Sequence, residues 1–593
     1  MISSRASGRL MWIGLFGLVG GGVATAAEPA PAAPSPPSPM MRPAPKRPFR
    51  AARAVVASDH PLASAAGVTV LKAGGNAFDA ACATALALGV LHPDASGIGG
   101  GGFALAYVAK QKKVYALDFR ERAPAALTAA SFLKNGKAVE SASKEGGLAV
   151  GVPGEVRGLA ELVKRWGAKP WKTCVDPAQK LAAKGIPVSW RLAKSFETLD
   201  AGPAPADPTF TKMFVSAKPP AEGSIFPRPE LAATLATLEN DGPDAFYKGP
   251  IADEIVKAVK AAGGVLTAQD LTDYAPTERA PLQTTHRGLS VYTMPPPSSG
   301  GVALVETLGI LDHLYAKPAA LPKGGRQSPE YLHALTEALK NAFADRARFL
   351  GDPDFVSVDV ARLTSGDYAA QLAARVKADG VLPNDAYGSL GTPPKAPPKD
   401  GGTTHLSIID AAGNAVALTT TVNLSFGAKL VAGSTGIVLN DQMDDFVLQV
   451  GVPNSFGLIG NEQNAVAPKK RPLSSMTPTI VLDDKAKNKV KLVVGGAGGP
   501  NIITATIEVL LDVLDWKMDA QAALSSPRIH HQWFPDALAV EPGVPKDAVD
   551  ALAKRGHKTK DIPAVGKVNL VVRTPRGLES GAEPRSPSGP AGY

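Results

Sequence analysis

Thr403 follows Gly402 and directly precedes the run Thr404-His405-Leu406-Ser407-Ile408-Ile409, which alternates as a half-buried strand does. The turn residues Ala411-Ala412-Gly413-Asn414 come next, then a Val- and Thr-rich run from Ala415 to Val422. Folded as a hairpin, the two runs put Thr421 beside Thr403, to within a residue of register. A threonine hydroxyl is a weak nucleophile and needs a base close by. A chain-terminal threonine carries its own, because an α-amine titrates at about 7.7–8.0. Thr403 is internal, so this chemistry requires the preceding bond to be cut first. Residues 383–402 are rich in Pro, Gly and Lys, bury little, and form an exposed stretch where cutting leaves a core intact. Thr404 is the neighbouring rival, but on a strand it points to the opposite face. Taken alone, Thr403 reads as an ordinary strand threonine.

Other chemistries find less support. Gly97 to Gly102 fits G-x-G-x-x-G but joins a helix to a strand, whereas a dinucleotide site needs strand, loop, then helix. Tight backbone packing explains it better. No serine sits in G-x-S-x-G, and neither HExxH nor a P-loop is present. His530-His531 lacks a Cys partner or a spaced third His, and adjacent strand residues face opposite ways, so a structural role is expected and no metal site is assigned. Asp444-Asp445 suits a cation, a solvated face or, as argued below, an ammonium group.

The elements that must position these residues belong to a large folded chain. Its 593 residues are 45% apolar and 20% charged, too apolar for disorder. Lys+Arg 63 against Asp+Glu 54 leaves a net charge of +9, with no basic block suited to a phosphate backbone, so nucleic acid is not expected as a partner. With only Cys82 and Cys174, neither a disulfide scaffold nor a Cys-rich zinc site is expected, and a core of this size needs no disulfide staple. Arg5 and Arg9, the short apolar run Leu10 to Gly20 and the small residues Ala24 to Ala27 read as a secretory signal peptide over residues 1–27. Residues 28–48 read as a Pro/Ala-rich tether. No later stretch has membrane-spanning length, so the expected location is secreted or periplasmic. Ser58 or Asp59 is expected to cap a helix from about Leu62 to Ala73, and an all-apolar helix over Ala77 to Leu91 should be buried. A strand is expected over Phe103 to Val108. The turn Met294-Pro-Pro-Pro-Ser-Ser-Gly-Gly301 leads into a helix over Val302 to Leu314.

Five clusters carry a resemblance. They are Gly402 to Ser407, Thr421-Val422-Asn423, Asn440 to Phe446 (NDQMDDF), Arg471 to Thr479 (RPLSSMTPT) and Gly495 to Gly499 (GGAGG). Together they closely resemble the small subunit of the γ-glutamyltranspeptidases. The likeness extends upstream through Gly74-Gly75-Asn76, Gly99 to Phe103, Asp118-Phe119-Arg120-Glu121, Tyr247-Lys248-Gly249 and the MPPPSSGG turn, covering roughly residues 50–575. The resemblance implies an α+β fold, the four-layer αββα sandwich of the N-terminal-nucleophile hydrolases. It further implies self-cleavage between Gly402 and Thr403, giving a large subunit over 49–402 and a small catalytic subunit over 403–593. Thr403 would be the nucleophile, aided by Thr421, with the backbone N–H groups of Gly498 and Gly499 as oxyanion donors, each worth about 3–4 kcal/mol of barrier. Arg120, Ser474 and Ser475 would hold the α-carboxylate of a γ-glutamyl donor, and Asp445, Gln442 and Asn423 its α-ammonium. The implied partners are glutathione-like donors and water, amino acids or peptides as acceptors, with no cofactor.

The sequence departs from the family pattern in three places. Phe456 stands where many bacterial members have a lid tyrosine. Pro500-Asn501 follows the glycine pair where Ser-Arg is common, and Glu583-Pro584-Arg585 replaces Asp-Pro-Arg. Three alternatives compete with the leading reading: an acylase on glutaryl-type amides, an enzyme cutting poly-γ-glutamate, and a silent, unprocessed binding protein. The full ammonium grip argues against glutaryl substrates, and the intact Gly402-Thr403 junction against silence.

Overall fold

In chain order, the core elements begin with strands β1 (Phe49–Ala51) and β2 (Val55–Ser58), followed by helices α1 (Pro61–Lys72) and α2 (Ala77–Leu91). Then come β3 (Gly101–Val108), β4 (Lys113–Phe119), α3 (Glu155–Trp166), α4 (Trp171–Lys184), β5 (Thr277–Arg279), β6 (Leu282–His286), β7 (Leu289–Thr293), α5 (Ser299–Leu314) and α6 (Pro329–Phe349). The chain closes with β8 (Gly402–Ile409), β9 (Ala415–Asn423), β10 (Thr479–Asp483), β11 (Lys489–Ala497), α7 (Asn501–Leu514), β12 (Lys567–Thr574), β13 (Gly577–Ser580) and β14 (Ala591–Gly592). This computed structural model describes residues 41–202, 205–216, 218–388, 401–487 and 489–593, all within one unit spanning Pro39–Tyr593. The expected signal peptide, most of the tether and the centre of the 383–402 segment lie outside the described residues.

Two seven-stranded sheets stack face to face. One has the order β14-β2-β8-β9-β3-β4-β5, the other β1-β13-β12-β11-β10-β7-β6. Strand alternation decides what each face buries. Leu406 and Ile408 of β8 join Val416 and Leu418 of β9 in a core shared with α1 and α2. Ile409, Ala415 and Ala417 point the other way, against Ile480, Val493 and Val571 of the second sheet. That sheet's outer face, including Val481, Leu492 and Leu570, packs on α5, α6 and α7. The result is the expected αββα sandwich, with the odd-numbered residues of β8, Thr403 among them, facing the gap between sheets.

Several local expectations hold and two change. All fifteen residues of α2 are buried, as its apolar circumference requires. Gly97 to Gly102 is tight packing: a Cβ on Gly100 would lie 2.0 Å from the Thr421 carbonyl oxygen, and one on Gly102 2.1 Å from that of Thr419. Helix α1 is capped by His60, whose Nδ1 accepts from Leu62 N–H at 3.2 Å, and not by Ser58 or Asp59. Asp59 instead accepts from His405 N–H at 3.3 Å and Asn569 Nδ2 at 2.8 Å, binding β8 to the second sheet. The second change is a disulfide between Cys82 and Cys174, with Cα atoms 5.7 Å apart, which ties α2 to α4. Glu583-Pro584-Arg585 still anchors the C-terminus, since Glu583 binds Arg528 and Arg585 at 2.8 Å each. Among the described residues no helix is long and apolar enough to cross a membrane.

Candidate active site

The hairpin β8–β9 pairs Thr403 with Thr421, and a bulge at Gly402/Thr403 leaves Val422 as the extra residue. Bulges re-aim side chains, and this one brings three polar atoms together. Thr403 Oγ1 lies 3.0 Å from Thr421 Oγ1, and the Thr421 hydroxyl donates to the Gly402 carbonyl oxygen at 2.5 Å. Thr421 has one hydroxyl proton, so the Thr403 hydroxyl must be the donor between the two threonines. Asn423 N–H completes the set, donating to Thr421 Oγ1 at 2.9 Å. Gly402 and Thr403 are both buried. Gly402 can only be glycine, because a Cβ there would lie 2.5 Å from the Asp94 carbonyl oxygen. Thr404 points to the helical side and donates to Ser96 Oγ at 3.1 Å, as strand alternation requires.

Around this corner the chain places every residue singled out from sequence. A small cavity of about 20 Å³ is lined by Thr403 and Thr421, by Arg120, Asn423, Gln442 and Asp445, and by Ser474, Ser475 and Gly499. Gly498 precedes Gly499 at the end of β11, and α7 starts at Asn501 directly after Pro500. Phe456 is 3% exposed and closes the cavity; a Cβ on Gly499 would lie 2.8 Å from its ring.

The charged residues occupy one another. Arg120, at the end of β4, is 1% exposed and its Nη2 lies 2.5 Å from Asp445 Oδ2. Gln442 Nε2 donates to the same oxygen at 2.8 Å, while Gln442 Oε1 is buried with no hydrogen-bond partner. Asn423 adopts the left-handed region at φ 81°, and its Nδ2 donates to the Asp441 carbonyl at 3.0 Å. Asp444 is taken up by neighbouring polar groups. It accepts from Ser143 Oγ at 2.9 Å and Ser455 N–H at 3.1 Å, which fastens the segment carrying Phe456. His530 and His531 are likewise structural, held by Thr504, Gln532 and the Trp533 N–H.

Some contributors have no signal in the sequence beyond their place in a motif. The MPPPSSGG turn is the mount for the serine pair: Ser298 Oγ donates to the Met476 carbonyl at 2.5 Å and Ser299 Oγ to that of Ser474 at 2.6 Å. Behind it, Arg346 Nε donates to Ser299 Oγ at 3.1 Å, and burial lowers its pKa to about 10. Two buried carboxylates adjoin the site. Burial raises Glu121 to about 7 and Glu155, whose Oε2 accepts from the Thr420 hydroxyl, to about 8. Such groups are invisible in sequence because burial is set by the tertiary fold.

An αββα sandwich with a threonine at the start of a central strand, facing the gap between the sheets, is the architecture of the N-terminal-nucleophile hydrolases. A cephalosporin acylase from Bacillus halodurans has the same architecture, with a TM-score of 0.79 and 28% identity over 96% of this chain and 99% of that one. The γ-glutamyltranspeptidase of Helicobacter pylori aligns with a TM-score of 0.52 and 39% identity over 55% of this chain and 92% of that chain. The glutathione hydrolase proenzyme of Escherichia coli is 41% identical over 544 residues, 91% of each chain. That of Pseudomonas sp. strain A14 is 42% identical over 508 residues, 84% of this chain and 85% of its own. The gamma-glutamyltranspeptidase family model matches residues 63–593, and the chain belongs to that family.

Proposed function

We propose that this chain is a proenzyme that cuts itself between Gly402 and Thr403 and then works as a glutathione-type γ-glutamyl hydrolase and transpeptidase. The observation that carries the reading is the Thr403–Thr421–Gly402 arrangement, at 3.0 and 2.5 Å. In processing, Thr403 Oγ attacks the Gly402 carbonyl carbon, and the Thr421 hydroxyl steadies the negative charge on the carbonyl oxygen. The C–N bond breaks, its nitrogen takes the proton that Thr403 Oγ gives up, and an ester links Gly402 to Thr403 Oγ. Water hydrolyses the ester and leaves Thr403 with a free α-amine. The products are a large subunit ending at Gly402 and a small one starting at Thr403. Cys82 and Cys174 both belong to the large subunit, so no disulfide joins the two.

In turnover the Thr403 α-amine takes the hydroxyl proton, and Oγ attacks the γ-carbonyl of the donor. The Gly498 and Gly499 N–H groups receive the oxyanion. The amine then protonates the leaving group, leaving a γ-glutamyl ester that water or an amino-acid acceptor resolves. Arg120, Ser474 and Ser475 take the α-carboxylate, and Asp445, Gln442 and Asn423 the α-ammonium. A glutaryl side chain would leave Asp445 without a cation, which favours γ-glutamyl donors over those of the acylases. The basic, apolar N-terminal stretch supports export to the periplasm or beyond. Varying a γ-glutamyl anilide and a dipeptide acceptor together tests the reaction. Parallel double-reciprocal lines with a γ-glutamyl-dipeptide product are expected; intersecting lines with no transfer product would contradict it.

A further inference from the structure

Helix α6 carries a second cluster of reactive side chains. His333 and Glu337 stand one turn apart on it, and His557 reaches them from the segment after the helix Lys546–Lys554. All three are buried, and one ligand atom from each lies within 4.8 Å of the others. His333 Nδ1 and His557 Nε2 are 2.7 Å apart. His333 Nε2 lies 2.6 Å from the Lys377 carbonyl oxygen, a contact that needs an Nε2–H. Nδ1 is then the nitrogen of His333 left to face His557. A metal-bound imidazole has this arrangement, with one N–H fixed on a carbonyl and the other nitrogen on the ion. Glu337 Oε2 accepts the Tyr387 hydroxyl, whereas Oε1 is buried with no hydrogen-bond partner, 3.6 Å from the Lys340 ammonium.

We propose that His333, Glu337 and His557 bind a divalent first-row transition-metal ion, a donor set of two imidazoles and a carboxylate that suits zinc. Binding requires both facing nitrogens to offer lone pairs, so a hydrogen between them must leave the site or move to the far nitrogen of the His557 ring. The two nitrogens separate to about 3.3 Å, as Zn–N bonds of about 2.0–2.1 Å demand. The Lys340 ammonium opposes the ion. His333 and Glu337 precede Gly402 and His557 follows it, so, resting on the proposed cleavage, the ion would link the two subunits that no disulfide joins.

The test uses the full purified protein, stripped with chelator and titrated with zinc chloride by calorimetry, with cobalt(II) added to a parallel sample. One equivalent of zinc should bind. His557→Ala and Glu337→Gln should each weaken binding at least about tenfold, and Lys340→Met should tighten it. Should a variant fail to fold, the unmutated protein still decides the question, through the visible bands of tetrahedral cobalt and the anomalous zinc peak in a crystal. An absence of stoichiometric zinc, unchanged affinity in both ligand variants, or an anomalous peak elsewhere would overturn the proposal. A denaturing gel without metal reports cleavage separately, so failure of the metal site leaves the processing reading untouched.

Discussion

Replacing Asp445 with Asn probes the part of the site where charge is most concentrated. In the structure Arg120 Nη2 and Asp445 Oδ2 are 2.5 Å apart, with the two side chains 1% and 11% exposed. An incoming γ-glutamyl group exchanges this one ion pair for two, its carboxylate taking Arg120 and its ammonium taking Asp445. Losing the Asp445 carboxylate removes one of the new pairs. A close, desolvated pair of this kind is worth about 2–5 kcal/mol. At 1.36 kcal/mol per tenfold, that is roughly a 30- to 5,000-fold loss in kcat/KM. Because the ammonium is gripped equally before and during reaction, the loss should fall mainly on KM. A glutaryl anilide has no ammonium and must displace Asp445 from Arg120 without compensation. The unmutated enzyme should therefore disfavour it by a similar factor, and Asp445→Asn should bring the two substrates within about tenfold of each other. Initial rates of chromogenic anilide release from both substrates, on protein whose processing has been confirmed by gel, give the ratio. An unchanged preference in the variant would refute the ammonium role of Asp445.

Two further outcomes follow from buried groups. Thr421→Val keeps the β-branched shape and deletes the hydroxyl that donates to Gly402, so conversion of the uncut chain should slow by about 10²–10³; an unchanged half-time on a gel time course would contradict the role given to Thr421. Burial raises Glu155 from the usual 4.5 to about 8, so the folded chain holds a proton that the unfolded chain releases. Its contribution to stability is complete below pH 4.5 and is lost as pH rises towards about 8. Glu155→Gln should flatten the fall in denaturation midpoint across that window, and parallel curves for the two proteins would count against it.

The hairpin was legible because alternation is a local signal: Leu406 and Ile408 had to share a face, which sent Thr403 to the other and brought Thr421 opposite. That Arg120, Asp445 and Ser474 line one cavity was legible only through ordered motifs, since they are far apart in the chain and no periodicity links them. Other features were not legible, for definite reasons. The Cys82–Cys174 bond spans 92 residues and depends on how α2 meets α4. The cap on α1 went to His60 because Asp59 was drawn to His405 and Asn569, a competition decided by the second sheet. The Arg120–Asp445 pair spans 325 residues and depends on how the end of β4 meets the Gln442–Asp445 turn. His333 and His557 lie 224 residues apart and meet only once α6 is packed.

The account turns on Thr403 attacking the carbonyl of Gly402. Intact-mass measurement of the purified protein beside its Thr403→Ala variant tests this most directly. Two polypeptides are expected from the unmutated protein, the smaller starting at Thr403, with γ-glutamyl anilide activity. One uncut, inactive polypeptide is expected from the variant. Full activity in an uncut chain, or a new N-terminus at any residue other than Thr403, would contradict this mechanism.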